Sequence, residues 1–251
     1  GFTSGKPLLT GMHFEISPFE GFSLSANRIM QSGGGERGGR SLSDLFVAFI
    51  DPSGADNTSE DLSVDEQFGN QAASLVSRFN FSGEIPFSIY LEYAGEDTSR
   101  GTNWRLGNSS LSAGIDIPQL TDTISLKYEF GQWQNGWYAH HVYHDGLTNS
   151  GNIIGHWAAE QRLRHNNAGE ALGATHHMLD IIWAQNTTNL WQFKLTSTEN
   201  EKYTNTDYER AYGLSIEWYS TINNIPFNVS ASTGKNVFGE SNNAISVGIN
   251  W

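Results

Sequence analysis

Alternation of apolar and polar residues, repeated along most of the chain, limits what this sequence can fold into more than any other feature. At the C-terminal end Ile245, Val247, Ile249 and Trp251 alternate with Ser246, Gly248 and Asn250, the period-2 pattern of a strand with two unlike faces. The same pattern recurs at Ile124, Leu126, Tyr128 and Phe130 against Ser125, Lys127 and Glu129, where the second face carries charge. It recurs at Phe87, Ile89, Leu91 and Tyr93, at Leu111, Ala113, Ile115 and Ile117, at Trp191, Phe193 and Leu195, and at Tyr212, Leu214, Ile216 and Trp218. Weaker copies lie at 12–18, 22–30, 70–81, 171–183 and 226–233. Together they predict on the order of eleven strands, each near the roughly 9–11 residues of a tilted membrane strand.

A soluble β-sandwich also alternates, and the connections separate the two possibilities. Tight ones are expected near Pro18–Gly21, Ser82–Pro86, Pro118–Asp122, Gln185–Asn189 and Asn223–Pro226. Longer ones are expected at 32–69, 97–107, 132–169, 198–208 and 234–242. Short and long in turn is the signature of an all-β, antiparallel up-and-down transmembrane β-barrel, with short periplasmic turns and long external loops. A Greek-key sandwich would scatter its loop lengths. Phe19, Phe22, Phe87, Phe227, Tyr93, Phe130 and Trp218 fall near strand ends, where interfacial girdles form. No apolar run reaches the roughly 18 residues of a helical span, and a mean hydropathy of −0.43 says little, because lumen-facing residues and wet loops lower the average of any barrel.

Parity adds an expectation about the ends. Bacterial barrels have an even number of strands, so about eleven strands ending at Trp251 would start on the outer side. An open sheet with bare edges is untenable in lipid. Residues 1–251 are therefore expected to be the C-terminal portion of one outer membrane barrel domain, with upstream strands missing from Gly1 and supplied by the same polypeptide or by another chain.

The charge balance removes some partners. Acids outnumber bases 27 to 14, for a net charge of −13, which disfavours nucleic acid, since phosphate neutralisation needs Lys and Arg. The absence of cysteine excludes disulfide scaffolds and thiolate metal sites.

Barrel strands supply scaffold and loops carry recognition, which directs attention to two segments. Residues 32–69 open with the glycine-rich segment 33–40, bearing Arg37 and Arg40, followed by Ser41-Leu42-Ser43-Asp44 and an apolar stretch to Ile50 before Asp51-Pro52. This predicts a short helix with an N-capping serine within Ser41-Leu42-Ser43-Asp44. It is not a phosphate loop, because no Lys-Ser/Thr follows and no parallel βαβ unit surrounds it. Residues 132–169 gather Trp133, Trp137, Tyr138, His140, Tyr143, His144, Asp145, His156 and Trp157. Aromatic faces stack on sugar rings while imidazole, amide and carboxylate groups meet their hydroxyls, so carbohydrate is the expected ligand; the other reading is a loop packed by its own side chains.

Other chemistries fit less well. Seven of the eight histidines lie between His140 and His177, and His140, His144, Asp145 and His156 could ligate a metal, but their spacing matches no zinc signature. Neither metal nor cofactor is expected. Glu92, Asp116, Glu129 and Glu217 read as lumen lining rather than glycosidase carboxylates. Ser150, His156 and Asp145 lack the nucleophile elbow of a triad.

The sequence resembles the Wzi-like capsule assembly family of outer membrane barrels. The resemblance lies in Tyr138-x-His140-x-x-Tyr143-x-x-Gly146 and Gly151-x-x-Ile154-Gly155-His156. It extends to the glycine-rich segment 33–40 with Ser41-Leu42-Ser43-Asp44 and Asp56-Asn57, and to Gly95-Glu96-Asp97. Leu147 stands where the family tends to place a tyrosine. The resemblance implies a larger barrel of about 18 strands, an even number, that is lectin-like rather than catalytic and helps hold capsular or exopolysaccharide at the surface of a Gram-negative cell.

The expected function is noncatalytic binding of surface polysaccharide by the long external loops, through Arg37, Arg40, Trp133, Trp137, Tyr138, His140, Tyr143, His144, Asp145, His156 and Trp157. The expected partners are that polysaccharide, outer membrane lipid and the missing N-terminal strands. A diffusion channel lined by Arg78, Lys127, Lys194, Glu129 and Glu217 is the alternative reading, and a scaffold barrel for a larger surface complex is the third.

Overall fold

A computed structural model describes residues 7–34, 41–50, 71–99, 102–134, 148–149, 152–153, 173–200, 208–222 and 225–249. Along the chain run β1 (Leu8–Phe19), β2 (Phe22–Ser32), α1 (Leu42–Ile50), β3 (Gln71–Phe81), β4 (Phe87–Gly95), β5 (Asp97–Ser99), β6 (Thr102–Gly107) and β7 (Ser110–Ile117). There follow β8 (Ile124–Trp133), β9 (Thr148–Asn149), β10 (Asn152–Ile153), β11 (Ala174–Asn186), β12 (Asn189–Asn200), β13 (Ala211–Ile222), β14 (Ile225–Lys235) and β15 (Ser241–Ile249). Eleven of these strands form one antiparallel sheet in chain order, β1-β2-β3-β4-β7-β8-β11-β12-β13-β14-β15. They are the eleven strands that the alternation predicts. Among the described residues β1 and β15 are the two edges, each paired on one side only.

Register turns the alternation into two surfaces. Ile117, Leu126, Ile181, Phe193, Ile216, Ala231 and Ile245 are successive cross-strand partners. One residue along, Asp116, Lys127, Asp180, Lys194, Ser215 and Ser232 form the matching row on the opposite face. The apolar face is open: Leu75, Leu91, Leu195 and Val247 are 54%, 48%, 47% and 69% exposed. In water such a surface would aggregate; in a bilayer it meets hydrocarbon, and the strand length suits the span.

The turns at 20–21, 82–86, 118–123 and 187–188 lie at one end of the strands with the 223–224 connection. Gly21 adopts a φ of 80° that a side chain would strain, and Asn186 accepts the Thr188 and Asn189 amides through its side chain at 3.0 Å each. Aromatics line this end on the apolar face, with Phe19–Phe22, Phe22–Phe79 and Phe81–Phe87 centroids 5.0, 4.5 and 4.5 Å apart and Trp191–Trp218 at 6.0 Å. This is where an interfacial girdle belongs.

Three connections differ in detail from expectation. Residues 97–107 are not a plain loop but a hairpin, β5 with β6. Within 132–169, β9 and β10 pair through Thr148–Asn149 and Asn152–Ile153. The β14–β15 connection is short, because the Asn236 side chain accepts the amides of Phe238 and Glu240 at 3.0 Å each and Gly239 supplies a φ of 79°. That tight closure takes the place of the longer loop expected over 234–242.

The capped helix forms as the residue pattern predicts. The Ser41 hydroxyl accepts the Asp44 amide at 3.2 Å and the Asp44 carboxylate accepts the Ser41 amide at 3.0 Å, a reciprocal cap that satisfies two otherwise unpaired donors. Leu45, 3% exposed, packs on Met30, 0% exposed, with Met12 beside them. Met12 and Met30 share the sheet face of Phe14 and Leu24, so α1 sits on the apolar surface at the end away from the tight turns.

The assignment of faces can be tested with one charge placed twice. Leu91→Arg, on the apolar face, is expected to destabilise the folded barrel by about 2–4 kcal/mol. Ser112→Arg, on the polar face of the neighbouring strand, should leave it near the parent value. Urea unfolding in lipid vesicles distinguishes them: equal costs would overturn the distinction between the faces, and a larger cost for Ser112→Arg would reverse it.

Candidate functional site

The polar face is organised by cross-strand pairs rather than by free charges. Tyr90 on β4 donates to the Glu129 carboxylate on β8, and Lys127 pairs with the same carboxylate at 3.4 Å. The Arg78 guanidinium lies 5.5 Å from the Tyr90 ring centroid, a cation–π distance, and donates to the Ser88 hydroxyl at 3.3 Å. Gly114 is directly opposite Tyr90. A Cβ there would lie 2.4 Å from the tyrosine ring, so glycine is what lets the ring lie flat across two strands. Farther round, both Asp180 oxygens accept from the Gln192 amide at 3.0 and 2.8 Å, and Tyr219 donates to Glu217.

These contacts bear on the carboxylates and cations singled out in the sequence. Glu92, Asp116, Glu129 and Glu217 all stand on the polar face with Arg78, Lys127 and Lys194. Glu129 and Glu217 are engaged by tyrosine hydroxyls, which fits lumen lining.

Toward the end that bears the long connections, the polar face is covered. Trp133 at the end of β8 is 4% exposed and packs with Ala174 and Ala94. Ser74, Ser110, His176 and Thr198 are buried beside it or along the same rim, and His176 Nδ1 lies 2.6 Å from the Thr198 hydroxyl. His177, the next residue, is on the opposite face, where its ring meets the Tyr128 hydroxyl at 2.8 Å and stands 5.4 Å from Phe130. Adjacent strand residues point to opposite faces, so these two imidazoles cannot ligate one ion together.

Of the residues expected to contact a ligand, the structure describes Trp133 alone. It is 4% exposed and packs with Ala174 and Ala94 at the root of the 132–169 connection. Arg37, Arg40, Trp137, Tyr138, His140, Tyr143, His144, Asp145, His156 and Trp157 lie outside the described residues.

One recess on the polar face went unnoticed in the sequence. A cavity of about 390 Å³ opens between β12, β13, β14 and β15 under the Asn236–Glu240 connection. Thr196, Gly213, Gly234 and Asn242 are successive cross-strand partners across it, and Lys194, Ser215 and Ser232 form the parallel row. The only available signal was a pair of glycines at inward positions of adjacent strands, where missing side chains leave room.

Comparison with known proteins follows the same lines as the fold. A family described as capsule assembly protein Wzi matches residues 2–163. An uncharacterized 55.8 kDa protein of the cps region of Klebsiella pneumoniae is 36% identical over 93 residues, which make up 36% of this chain and 17% of that protein. Among solved structures, Wzi of Escherichia coli is described as an outer membrane protein involved in group 1 capsule assembly and a carbohydrate-binding β-barrel. It superposes with a TM-score of 0.60 at 20% identity, over 96% of this chain and 50% of that one. The outer membrane channel DcaP of Acinetobacter baumannii superposes with a TM-score of 0.51 at 10% identity, over 98% of this chain and 62% of that one. The chain thus spans about half the length of the first of these structures. Both likenesses show an outer membrane β-barrel fold.

If Trp133 anchors rather than binds, its loss should be felt in stability. Trp133→Ala is expected to cost about 3–5 kcal/mol, as for a buried large-to-small change, read as a lower urea midpoint and faster protease cleavage within 134–173. An unchanged midpoint would return the ring to the list of ligand contacts.

Proposed function

The chain belongs to the Wzi family of capsule assembly proteins, and on that premise we propose that it holds surface polysaccharide in the outer membrane without catalysing a reaction on it. The observation that carries this reading is where the aromatic and histidine-rich segment is tethered. It leaves β8 at Gln134 and returns at Gly173, at the strand ends opposite the tight turns, where a barrel faces the exterior. Trp137, Tyr138, His140, Tyr143, His144, Asp145, His156 and Trp157 form the contact set, together with Arg37 and Arg40 of the β2–β3 connection. Aromatic rings supply stacking surface at small entropic cost, and the polar groups supply direction.

The diffusion-channel reading is not favoured. The family is one of capsule assembly, and the likeness to a channel rests on fold at 10% identity. Among the described residues β1 and β15 are each paired on one side only, which leads to a further part of the proposal: strands outside this sequence, in the same polypeptide or a partner, close the barrel, because bare edges would leave backbone groups unpaired in hydrocarbon.

The test is retention of polysaccharide by cells expressing the native barrel. Trp137→Ala with Tyr143→Ala should release a large fraction of surface polymer into the medium while the barrel keeps the heat-dependent gel mobility of a folded outer membrane protein. Full retention by a folded double variant would overturn the proposal.

A further inference from the structure

Resting on the polysaccharide reading, we infer that the cavity between β12 and β15 is a subsite for an acidic sugar, with the Lys194 ammonium meeting its carboxylate. The floor is made by absence. Gly213 and Gly234 are directly paired, and side chains there would meet the Thr196 hydroxyl at 2.8 Å and the Tyr212 carbonyl oxygen at 2.5 Å. Those close approaches require glycine at both positions, and with no side chain on either of two adjacent strands the wall is set back between Thr196 and Asn242.

Around that recess the chemistry is that of a sugar site. Hydroxyls of Thr196, Ser215 and Ser232 and the amide of Asn242 line it, supplying both donors and acceptors. Phe238 closes one side, its ring held edge-on by Tyr208 at 5.9 Å and 64°. Polar groups with one aromatic surface are what a pyranose ring requires. The volume of about 390 Å³ is at the small end of ligand pockets, which run from about 300 to 1,000 Å³, and suits one or two sugar units rather than a length of polymer.

The charge makes the assignment more specific. Lys194 lines the cavity and stands opposite Asp180 on β11, whose carboxylate accepts from the Gln192 amide. Among the described residues no carboxylate forms an ion pair with Lys194. The other acids near the cavity mouth have partners: Glu209 with Lys235, Glu199 with Arg210, and Glu240 with the Asn236 amide at 2.8 Å. In a chain of net charge −13, an uncommitted ammonium in a recess of hydroxyls is a site for an anion. A partly desolvated ammonium–carboxylate pair is stronger than its exposed counterpart. A uronic acid brings that carboxylate on a ring whose hydroxyls the remaining lining can meet.

The experiment measures binding to the purified native barrel of a glucuronate-containing tetrasaccharide and of the same molecule with its carboxyls reduced to alcohols. The parent should favour the acidic form by about tenfold or more, the worth of one charge-assisted contact. Lys194→Gln, checked for folding by gel mobility, should lose that preference while binding the reduced form as before. Ser232→Val should weaken both forms together. Equal binding of the two forms by the parent, or a preference that survives Lys194→Gln, would overturn the subsite and leave loop-mediated retention standing. Tighter binding of inorganic phosphate than of the tetrasaccharide would overturn the sugar assignment. Failure of the parent to bind either saccharide, with polymer still shed by the Trp137 and Tyr143 variant, would likewise overturn the subsite alone; failure together with full retention would remove both readings.

Discussion

Hydrocarbon offers a backbone amide nothing to bond to, and an unpaired peptide group there costs several kcal/mol. A chain that crosses a membrane in an extended form must therefore pair every strand with another along its full length. The long registers of this sheet follow from that constraint: β13 and β14 are paired from Tyr212 with Lys235 to Ile222 with Ile225. With the backbone thus consumed, side chains have only two directions to take, and the row from Ile117 to Ile245 lies back to back with the row from Asp116 to Ser232. Stability comes from ladder hydrogen bonds and from lipid on one side, and the usual buried apolar core is nearly absent. Among the described residues the fully buried apolar side chains are few, and they sit at the loop end, in the Met30–Leu45 and Trp133–Ala174 clusters and at Val237.

That arrangement explains what could be read from residues alone. Two-sided alternation is a local signal, so all eleven long strands were visible, as was the Ser41–Asp44 cap, whose partners are three residues apart. The β5–β6 hairpin escaped because its strands are too short to show a period. The tight β14–β15 closure escaped because it depends on one asparagine side chain reaching two amides. The seating of α1 on the apolar face depends on Leu45 finding Met30 across the sequence, which no periodicity encodes. The candidate site was legible only as composition. Aromatic and histidine content marks 132–169, but whether a given ring is presented or packed away is a tertiary property, as Trp133 illustrates. The recess at Gly213 and Gly234 becomes visible only once register sets the two glycines side by side.

The polar face shows how a barrel wall can hold charge without being reactive. Tyr90, Glu129, Lys127 and Arg78 satisfy one another over β3, β4 and β8, and Gly114 gives up its side chain so that the tyrosine can bridge the strands. Mutual satisfaction of this kind fixes geometry and quenches the field of each group. Lys194 belongs to the same face and the same cross-strand row as Lys127. It differs in that Lys127 pairs with Glu129 on its own strand, whereas Lys194 has Ser215 opposite it on β13 and lines the recess, which turns an ordinary lining residue into a point of recognition.

The order of strands in the sheet is the order of strands in the chain, and this has a consequence for how the molecule assembles. Within the sheet each long strand pairs with the long strands before and after it in the chain, so only the final closure of the barrel joins distant segments, and the loop-closure penalty of the tight turns is small. Growth can proceed one hairpin at a time, each new strand templated on the last and presenting a fresh edge to its successor. The growing edge is also an exposed row of unpaired amides beside a strongly apolar surface, which is the combination that drives aggregation in water. A polypeptide built in this way has an easy folding problem and a hard transit problem, and its survival before it reaches a bilayer depends on keeping that edge covered.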